Sequence, residues 1–198
     1  PRPAVQSHRG ELYRFDLSDE LAARVRGFNA EHGLTLFMTM TATLAVLLYR
    51  YSGQTDLRIG APVANRIRPE SEGLIGAFLN TQVLRCQLDG MMSVGELFEQ
   101  VRHTVIEGQS HQDLPFEQVV EITRPLRSMA HSPLFQAMFS WDSGHGASLS
   151  LGELTLESVA EPSHFAKFDL SLTLADAPGG IRGVLEYAVA LFDESTIE

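Results

Sequence analysis

Strand-like and helix-like patterns alternate along this 198-residue chain. The alternation predicts an α/β fold, layered as α+β, in which helices cover a mixed β-sheet. Period-two stretches such as residues 11–17 and 78–88 are typical of half-buried strands. Residues 93–109 instead carry apolar side chains at helical spacing after a capping sequence. With 44% hydrophobic residues, the chain can bury a substantial core.

The first half of the chain predicts two strands separated by two helices. The strand at residues 11–17 is followed by Ser18, a helix N-cap, and by Gly33, which ends the helix. Thr35 caps a second helix that is apolar all round and ends at residues 52–53, so we expect it to lie inside the core. A strand follows at residues 56–63.

The second half predicts a strand at residues 78–88, a capped helix at 93–109 and a short helix from Pro115 with Asp113 as its cap. Its strand at residues 134–141 places Trp141 on the same face as Phe135 and Phe139, so we expect Trp141 to be buried. Further strands are predicted at residues 154–159, 168–175 and 181–188, with a loop at 144–146, a hairpin turn at 176–180 and a helix beginning at 193.

Composition excludes several functional classes. The chain has 15 basic and 25 acidic residues, a net charge of -10 and one lysine, which argues against nucleic-acid binding. A lone cysteine, Cys86, permits no internal disulfide and fits a reducing compartment, and the histidines lack metal-ligand spacing, so we predict no metal site. The apolar run at residues 36–49 is interrupted by threonines and too short to span a bilayer, which indicates a core helix.

Few side chains suggest catalysis by themselves. The sequence lacks a Gly-x-Ser-x-Gly elbow and a phosphate-binding glycine loop. His164 and Asp169 allow a base with its orienting carboxylate, but a loop histidine beside a strand aspartate is the favoured interpretation. Asn80 and Gln82 share a strand face, where leaving each amide buried and unpaired would cost about 1–3 kcal/mol. They therefore either join a hydrogen-bonded network or line a wet cavity.

Three segments carry a family resemblance. Residues 73–85 read Gly-Leu-Ile-Gly-Ala-Phe-Leu-Asn-Thr-Gln-Val-Leu-Arg, residues 111–118 read His-Gln-Asp-Leu-Pro-Phe-Glu-Gln, and residues 131–136 read His-Ser-Pro-Leu-Phe-Gln. In this order they resemble the later core motifs of the condensation domain of nonribosomal peptide synthetases, whose fold is similar to chloramphenicol acetyltransferase. The family's His-His-x-x-x-Asp-Gly signature does not occur in the chain. Residues 1–198 therefore resemble the C-terminal lobe of such a domain, truncated at both ends.

The resemblance implies a role in amide formation between donor acyl or peptidyl and acceptor aminoacyl thioesters. This lobe would form one wall of the substrate tunnel and supply no catalytic residue. By match to the motifs, the wall residues would be Asn80, Thr81 and Gln82, then Gln136, Met138 and Ser140. The segments look more like amide-forming domains than like epimerising or heterocyclising relatives.

The resemblance also implies partners and a location. The N-terminal lobe of the same domain and donor and acceptor carrier proteins would bind this lobe, in the cytoplasm and without nucleic acid or membrane. The lobe would bind no cofactor, and phosphopantetheine would arrive on the carrier proteins. The isolated lobe is expected to be inactive and to self-associate through Phe78, Leu84, Gln136 and Met138. The alternatives are a noncatalytic carrier-protein docking module or half of a coenzyme A-dependent acyltransferase.

Overall fold

A computed structural model describes residues 1–66, 69–71, 73–142 and 164–198. In these residues six strands form one mixed sheet in the order β1-β6-β5-β4-β2-β3. The parallel pairs are β2 with β4 and β4 with β5, and the other neighbours are antiparallel. The predicted α/β class with a mixed sheet is confirmed. The strands are β1 Gly10–Ser18, β2 Asp56–Val63, β3 Asn80–Gln87, β4 Ala137–Asp142, β5 Leu170–Ala177 and β6 Gly180–Ala188.

The first two helices begin and end where their capping residues predict. Helix α1 spans Asp19–His32 after Ser18, and α2 spans Leu36–Ser52 after Thr35, whose side chain accepts a hydrogen bond from the main-chain N–H of Met38. Gly33 and Gly53 end them with φ values of 64° and 69°, which glycine adopts without steric cost. The first half of α2 is buried, but Leu47 and Tyr51 are exposed, so only half of this helix lies inside the core.

The remaining helices lie in the second half of the chain. Helix α3 spans Val94–Ser110 and begins with the capping box that Ser93 and Glu96 predict. Helix α4 spans Phe116–Thr123, and α5 spans Glu194–Ile197. The prediction that Asp113 caps α4 is wrong. The N-cap residue of this helix is Pro115, and Asp113 makes no capping hydrogen bond. The predicted strand at 154–159 and loop at 144–146 lie outside the described residues.

Helices α1, α2 and α3 cover one face of the sheet. On that face the ring of Phe139 stacks on Phe37 of α2 at 5.1 Å between centroids, and Ile59 and Leu84 are buried. Leu84 is therefore a core residue and does not form an association surface. Trp141 is half-buried rather than enclosed, whereas Phe135 and Phe139 are buried. Strand β4 begins at Ala137, three residues later than predicted, so Phe135 precedes it.

Along each strand, every second side chain points away from α1, α2 and α3. We call the sheet surface that these side chains form the second face. Strand register assigns its members. Met138 lies beside Ser171 of β5, Ser171 beside Glu186 of β6, and Glu186 beside Leu12 of β1. In β3, Thr81 and Val83 alternate with the buried Leu84 and belong to the second face, whereas Asn80 and Gln82 share the face of Leu84.

Candidate functional site

Arg66 holds the bend that precedes β3. Its guanidinium donates to the carbonyl oxygens of Leu74 and Gly76 at 3.0 and 3.2 Å and lies 4.4 Å from the centre of the Phe78 ring. These contacts fix the start of the first motif segment, residues 73–85. Nothing in the local sequence around Arg66 indicates partners eight to twelve residues away, so its role is visible only in the structure.

Asn80 joins the first motif segment to the second. Its amide NH2 donates to the carbonyl oxygens of Gln112 and Leu114 at 2.9 and 2.7 Å, and its amide oxygen accepts the main-chain N–H of Phe116 at 3.0 Å. Because Phe116 is the first residue of α4, Asn80 caps this helix from a neighbouring strand. The side chain thereby fixes the whole turn between α3 and α4.

Gln82 likewise links β3 to a helix through its side-chain amide. Its amide NH2 donates to the carbonyl oxygen of Gly108 in the last turn of α3. A Cβ atom at position 108 would lie 3.3 Å from the Gln82 amide oxygen, so the small residue there lets the strand and helix approach closely. The sequence left open whether these two amides join a hydrogen-bonded network or line a cavity. Gln82 belongs to a hydrogen-bonded network, whereas Asn80 both joins such a network and lines a cavity.

The third motif segment places Phe135 against the sheet. A Cβ atom at Gly60 would collide with the Phe135 ring, and Gly60 alternates with the core residue Ile59, so the ring lies on the second face. Phe135 also contacts Phe116 and Phe168 at ring-centroid distances of 5.6 and 5.0 Å. These three rings connect the second motif segment, the third motif segment and the residues just before β5.

The three motif segments meet around one cavity of about 240 Å3. Asn80 and Thr81 contribute from the first segment, Phe116 from the second, and Pro133 and Phe135 from the third, with Lys167 at the same cavity. Lys167 is the only lysine in the chain, and it is exposed. Glu117 of the second segment also borders the cavity. The cavity therefore combines aromatic walls with amide, hydroxyl, carboxylate and ammonium groups, which suits a small polar group better than an extended apolar one.

The remaining candidate residues occupy two other places. Gln136 donates to the carbonyl oxygen of Ser132 at 3.0 Å and borders a separate cavity of about 460 Å3. Met138 and Ser140 lie on the second face with Thr81, and the Ser140 hydroxyl is 2.8 Å from that of Thr173 on β5. The structure thus brings Asn80 and Thr81 to one cavity, sets Met138 and Ser140 along the sheet surface, and keeps Gln82 on the helix side.

Asp169 has a partner that the sequence did not suggest. Its carboxylate accepts two hydrogen bonds from Arg2, one of them at 2.9 Å, and Arg2 also donates to the carbonyl oxygen of Ala130 at 3.2 Å. Hydrogen bonding to Asp169 raises the pKa of the Arg2 guanidinium. Because Arg2 occupies this carboxylate, the favoured interpretation of Asp169 as an ordinary strand-end residue is supported over a base with its orienter. Arg2 lies 167 positions away, so no local pattern reveals it.

Other reactive groups are shielded. Burial raises the pKa of the Cys86 thiol to about 11, which keeps it protonated at neutral pH and unsuited to attack as a thiolate. In the described part of the chain no group of three or more His, Cys, Asp and Glu side chains is placed to hold a metal ion.

Over the same residues no single helix is long and apolar enough to cross a bilayer, and α1 together with α2 meets these two criteria only as a pair bent by 106°.

Comparison with known proteins gives a consistent match. The family model described as Condensation domain matches residues 1–198. Malpinin synthetase of Mortierella alpina is 45% identical over all of this chain and 3% of its own length, and phosphinothricin tripeptide synthetase PhsC of Streptomyces viridochromogenes is 46% identical over all of this chain and 18% of its own. The crystal structure of the X-domain from teicoplanin biosynthesis superposes with a TM-score of 0.88 at 28% identity, over all of this chain and 46% of that one. The chain therefore spans less than half of each of these relatives.

Proposed function

Because this chain belongs to the condensation-domain family, we propose that it is the C-terminal lobe of a domain that forms amide bonds between thioesters carried on carrier proteins. The observation that carries the proposal is the meeting of all three motif segments at one cavity beside the second face. Three segments spread over residues 73–136 need no common meeting point if each only stabilises its own element. Their convergence supports a shared site at this edge of the sheet.

We assign the second face to the wall of the substrate tunnel. Thr81, Met138 and Ser140 lie on it, whereas α1, α2 and α3 cover the opposite face. In the described residues the only helical contact on the second face is that of Phe116 of α4 with Phe135, and a sheet face without a covering layer is typically buried against a further one. The N-terminal lobe of the same domain is the partner that would supply this layer, with the tunnel between the two lobes.

The reaction proposed for the complete domain is an aminolysis. The acceptor amine attacks the donor thioester carbonyl, a tetrahedral intermediate forms, and the donor carrier's phosphopantetheine thiol leaves as the amine loses a proton. Two reactants held in one tunnel gain effective concentration, and a donor to the intermediate's oxyanion lowers the barrier further. The His-His-x-x-x-Asp-Gly residues would come from the N-terminal lobe, because this sequence lacks them. The lobe described here would orient the substrates.

The test uses the complete domain with donor and acceptor carrier proteins loaded by phosphopantetheine thioesters. The complete domain should form the amide, and residues 1–198 alone should not, because the reaction needs both lobes. Ser140→Phe would fill the second face beside Thr173 and should lower amide formation at least tenfold, because small displacements of reacting groups have effects of that order. Gln109→Phe, on an exposed position of α3, is the matched control and should leave the rate unchanged.

Three results would contradict the proposal. A complete wild-type domain that binds both carrier proteins and forms no amide would favour a noncatalytic docking module. Equal turnover with coenzyme A thioesters and carrier-bound thioesters would favour a coenzyme A-dependent acyltransferase. A fully active Ser140→Phe variant with normal thermal unfolding would remove the second face from the tunnel wall.

A further inference from the structure

Glu186 is a carboxylate on the second face, and the reaction proposed above assigns it no role. It lies on β6 opposite Ser171 of β5, and Ser171 lies opposite Met138 of β4. The three side chains therefore form one cross-strand row that ends at a residue of the proposed tunnel wall. Neighbouring strands lie about 4.7–4.9 Å apart, so Glu186 is two such steps from Met138.

The hydrogen bonds of Glu186 leave part of its carboxylate available. The Ser171 hydroxyl donates to it at 3.4 Å, and the main-chain N–H of Lys167 donates as well. A carboxylate offers about four acceptor positions, so these two bonds do not saturate it. Glu186 is half-buried, and it forms no salt bridge within the described residues.

The surroundings of Glu186 are mostly polar, and the cation of the neighbouring Lys167 lies 5.4 Å from the centre of the Phe168 ring without forming a salt bridge to Glu186 in the described residues. In the adjacent row of the second face, the hydroxyls of Ser140 and Thr173 lie 2.8 Å apart. Arg14 of β1 is the nearest same-face cation by strand register, two positions beyond the Leu12 that pairs with Glu186, and its side chain is exposed. Burial raises the pKa of the Glu186 carboxyl, so desolvation outweighs the hydrogen bonds that it accepts.

This arrangement suits a cation that carries its own hydrogen-bond donors. The acceptor substrate of the proposed reaction presents such a group, because an α-amino group has a pKa of about 7.7–8.0 and is largely protonated at neutral pH. A protonated amine carries a positive charge and donates three hydrogen bonds. A desolvated carboxylate beside hydroxyl groups balances the charge of the amine and accepts its hydrogen bonds. The donor substrate needs only a thioester carbonyl for the reaction and requires no such partner.

We propose that Glu186, with Ser171 beside it, binds the protonated amino group of the acceptor aminoacyl thioester. The inference rests on the proposed function, since it takes the second face as the tunnel wall. It adds a binding group for the acceptor amine at a defined side chain. Deprotonation of the bound amine before attack releases one proton, which passes to the Glu186 carboxylate or to water.

The variant that tests this role is Glu186→Gln in the complete domain. The Gln amide oxygen still accepts from Ser171 and from the Lys167 N–H, so a purely structural role is retained and only the charge is lost. We expect KM for the acceptor to rise about tenfold with KM for the donor unchanged, since a charge-assisted hydrogen bond has an effect of this size. Glu31→Gln, an exposed carboxylate on α1, is the matched control and should change neither value.

A second measurement uses the wild-type complete domain and does not depend on the variant folding. Alanyl-pantetheine carries the amino group, and propionyl-pantetheine is the same molecule without it. We expect the alanyl compound to bind about tenfold more tightly near pH 7, and we expect this preference to disappear in Glu186→Gln.

Each outcome decides a different point. Equal binding of the two compounds by the wild type, or an unchanged preference in a folded Glu186→Gln domain, would overturn the role of Glu186. A wild-type domain that forms no amide would refute the proposed function, and the two pantetheine compounds would still report on Glu186 independently. A raised acceptor KM in Glu31→Gln as well would show a general charge effect and would also overturn the assignment.

Discussion

Replacing Asn80 with alanine removes three hydrogen bonds that hold the turn between α3 and α4. Two of them, to Gln112 and from the Phe116 N–H, are partly shielded from water, and the third, to Leu114, is exposed. A typical intramolecular hydrogen bond contributes about 0.5–1.5 kcal/mol net, with the exposed one at the lower end. The expected loss in the free energy of unfolding is therefore about 2–3 kcal/mol, and α4 also loses its cap.

Urea unfolding of the protein measures this loss directly. With a denaturant slope of about 2–3 kcal/mol per molar, the midpoint should fall by about 1 M. Gln87→Ala is the matched control, because Gln87 lies on the same strand with an exposed side chain, and its contacts with Gln100 use main-chain atoms. The control should change the free energy of unfolding by less than about 0.5 kcal/mol.

The result can refute the structural role of Asn80. An alanine variant whose stability matches that of the Gln87→Ala control would mean that the three bonds do not hold the turn. If that variant also lost amide-forming activity in the complete domain by tenfold or more, Asn80 would act through the cavity that it lines with Thr81. Loss of stability together with activity would support the network that the hydrogen bonds describe.

Two further predictions concern charged groups. Arg2→Ala leaves the Asp169 carboxylate, which is only 10% exposed, without its cation, and should lower the free energy of unfolding in urea by about 2–4 kcal/mol. Arg26→Ala breaks an exposed pair and should lower it by less than about 1 kcal/mol. Equal losses in the two variants would contradict this difference between buried and exposed pairs. Because the pKa of Glu186 is raised, the folded protein holds this proton more tightly than the unfolded chain. The stability of the wild type relative to Glu186→Gln should thus be highest below the ordinary pKa of 4.5 and fall as the pH rises, and a constant difference between about pH 4 and pH 7 would refute this.

The elements that the sequence predicted well have their determinants close together in the chain. Ser93 and Glu96 form a capping box within four residues, and both α1 and α2 end at glycines next to the last helical residue. The alternation of side chains in β3 likewise places Thr81 and Asn80 on opposite faces of the strand, without reference to any tertiary contact. These features depend on backbone hydrogen bonding and side-chain periodicity, which a short window of sequence contains.

The errors arose where a partner lies far along the chain. Asp113 has the residue type and position of a helix cap, but Asn80 caps α4 from a strand more than thirty residues earlier. Trp141 shares a strand face with the buried Phe139, yet it is only half-buried. Periodicity predicts which way a side chain points and does not predict what covers it.

The sequence by itself determined the α/β class, most of the helix and strand boundaries and the three motif segments that identify the family. Only the tertiary structure decided that these segments meet at one cavity, that Arg2 pairs with Asp169, and that Glu186 shares a row with Met138. The physical reason is the range of the interactions. Local hydrogen bonds and periodic burial are encoded within a few residues, whereas strand order and register bring distant side chains together and depend on the packing of the whole sheet.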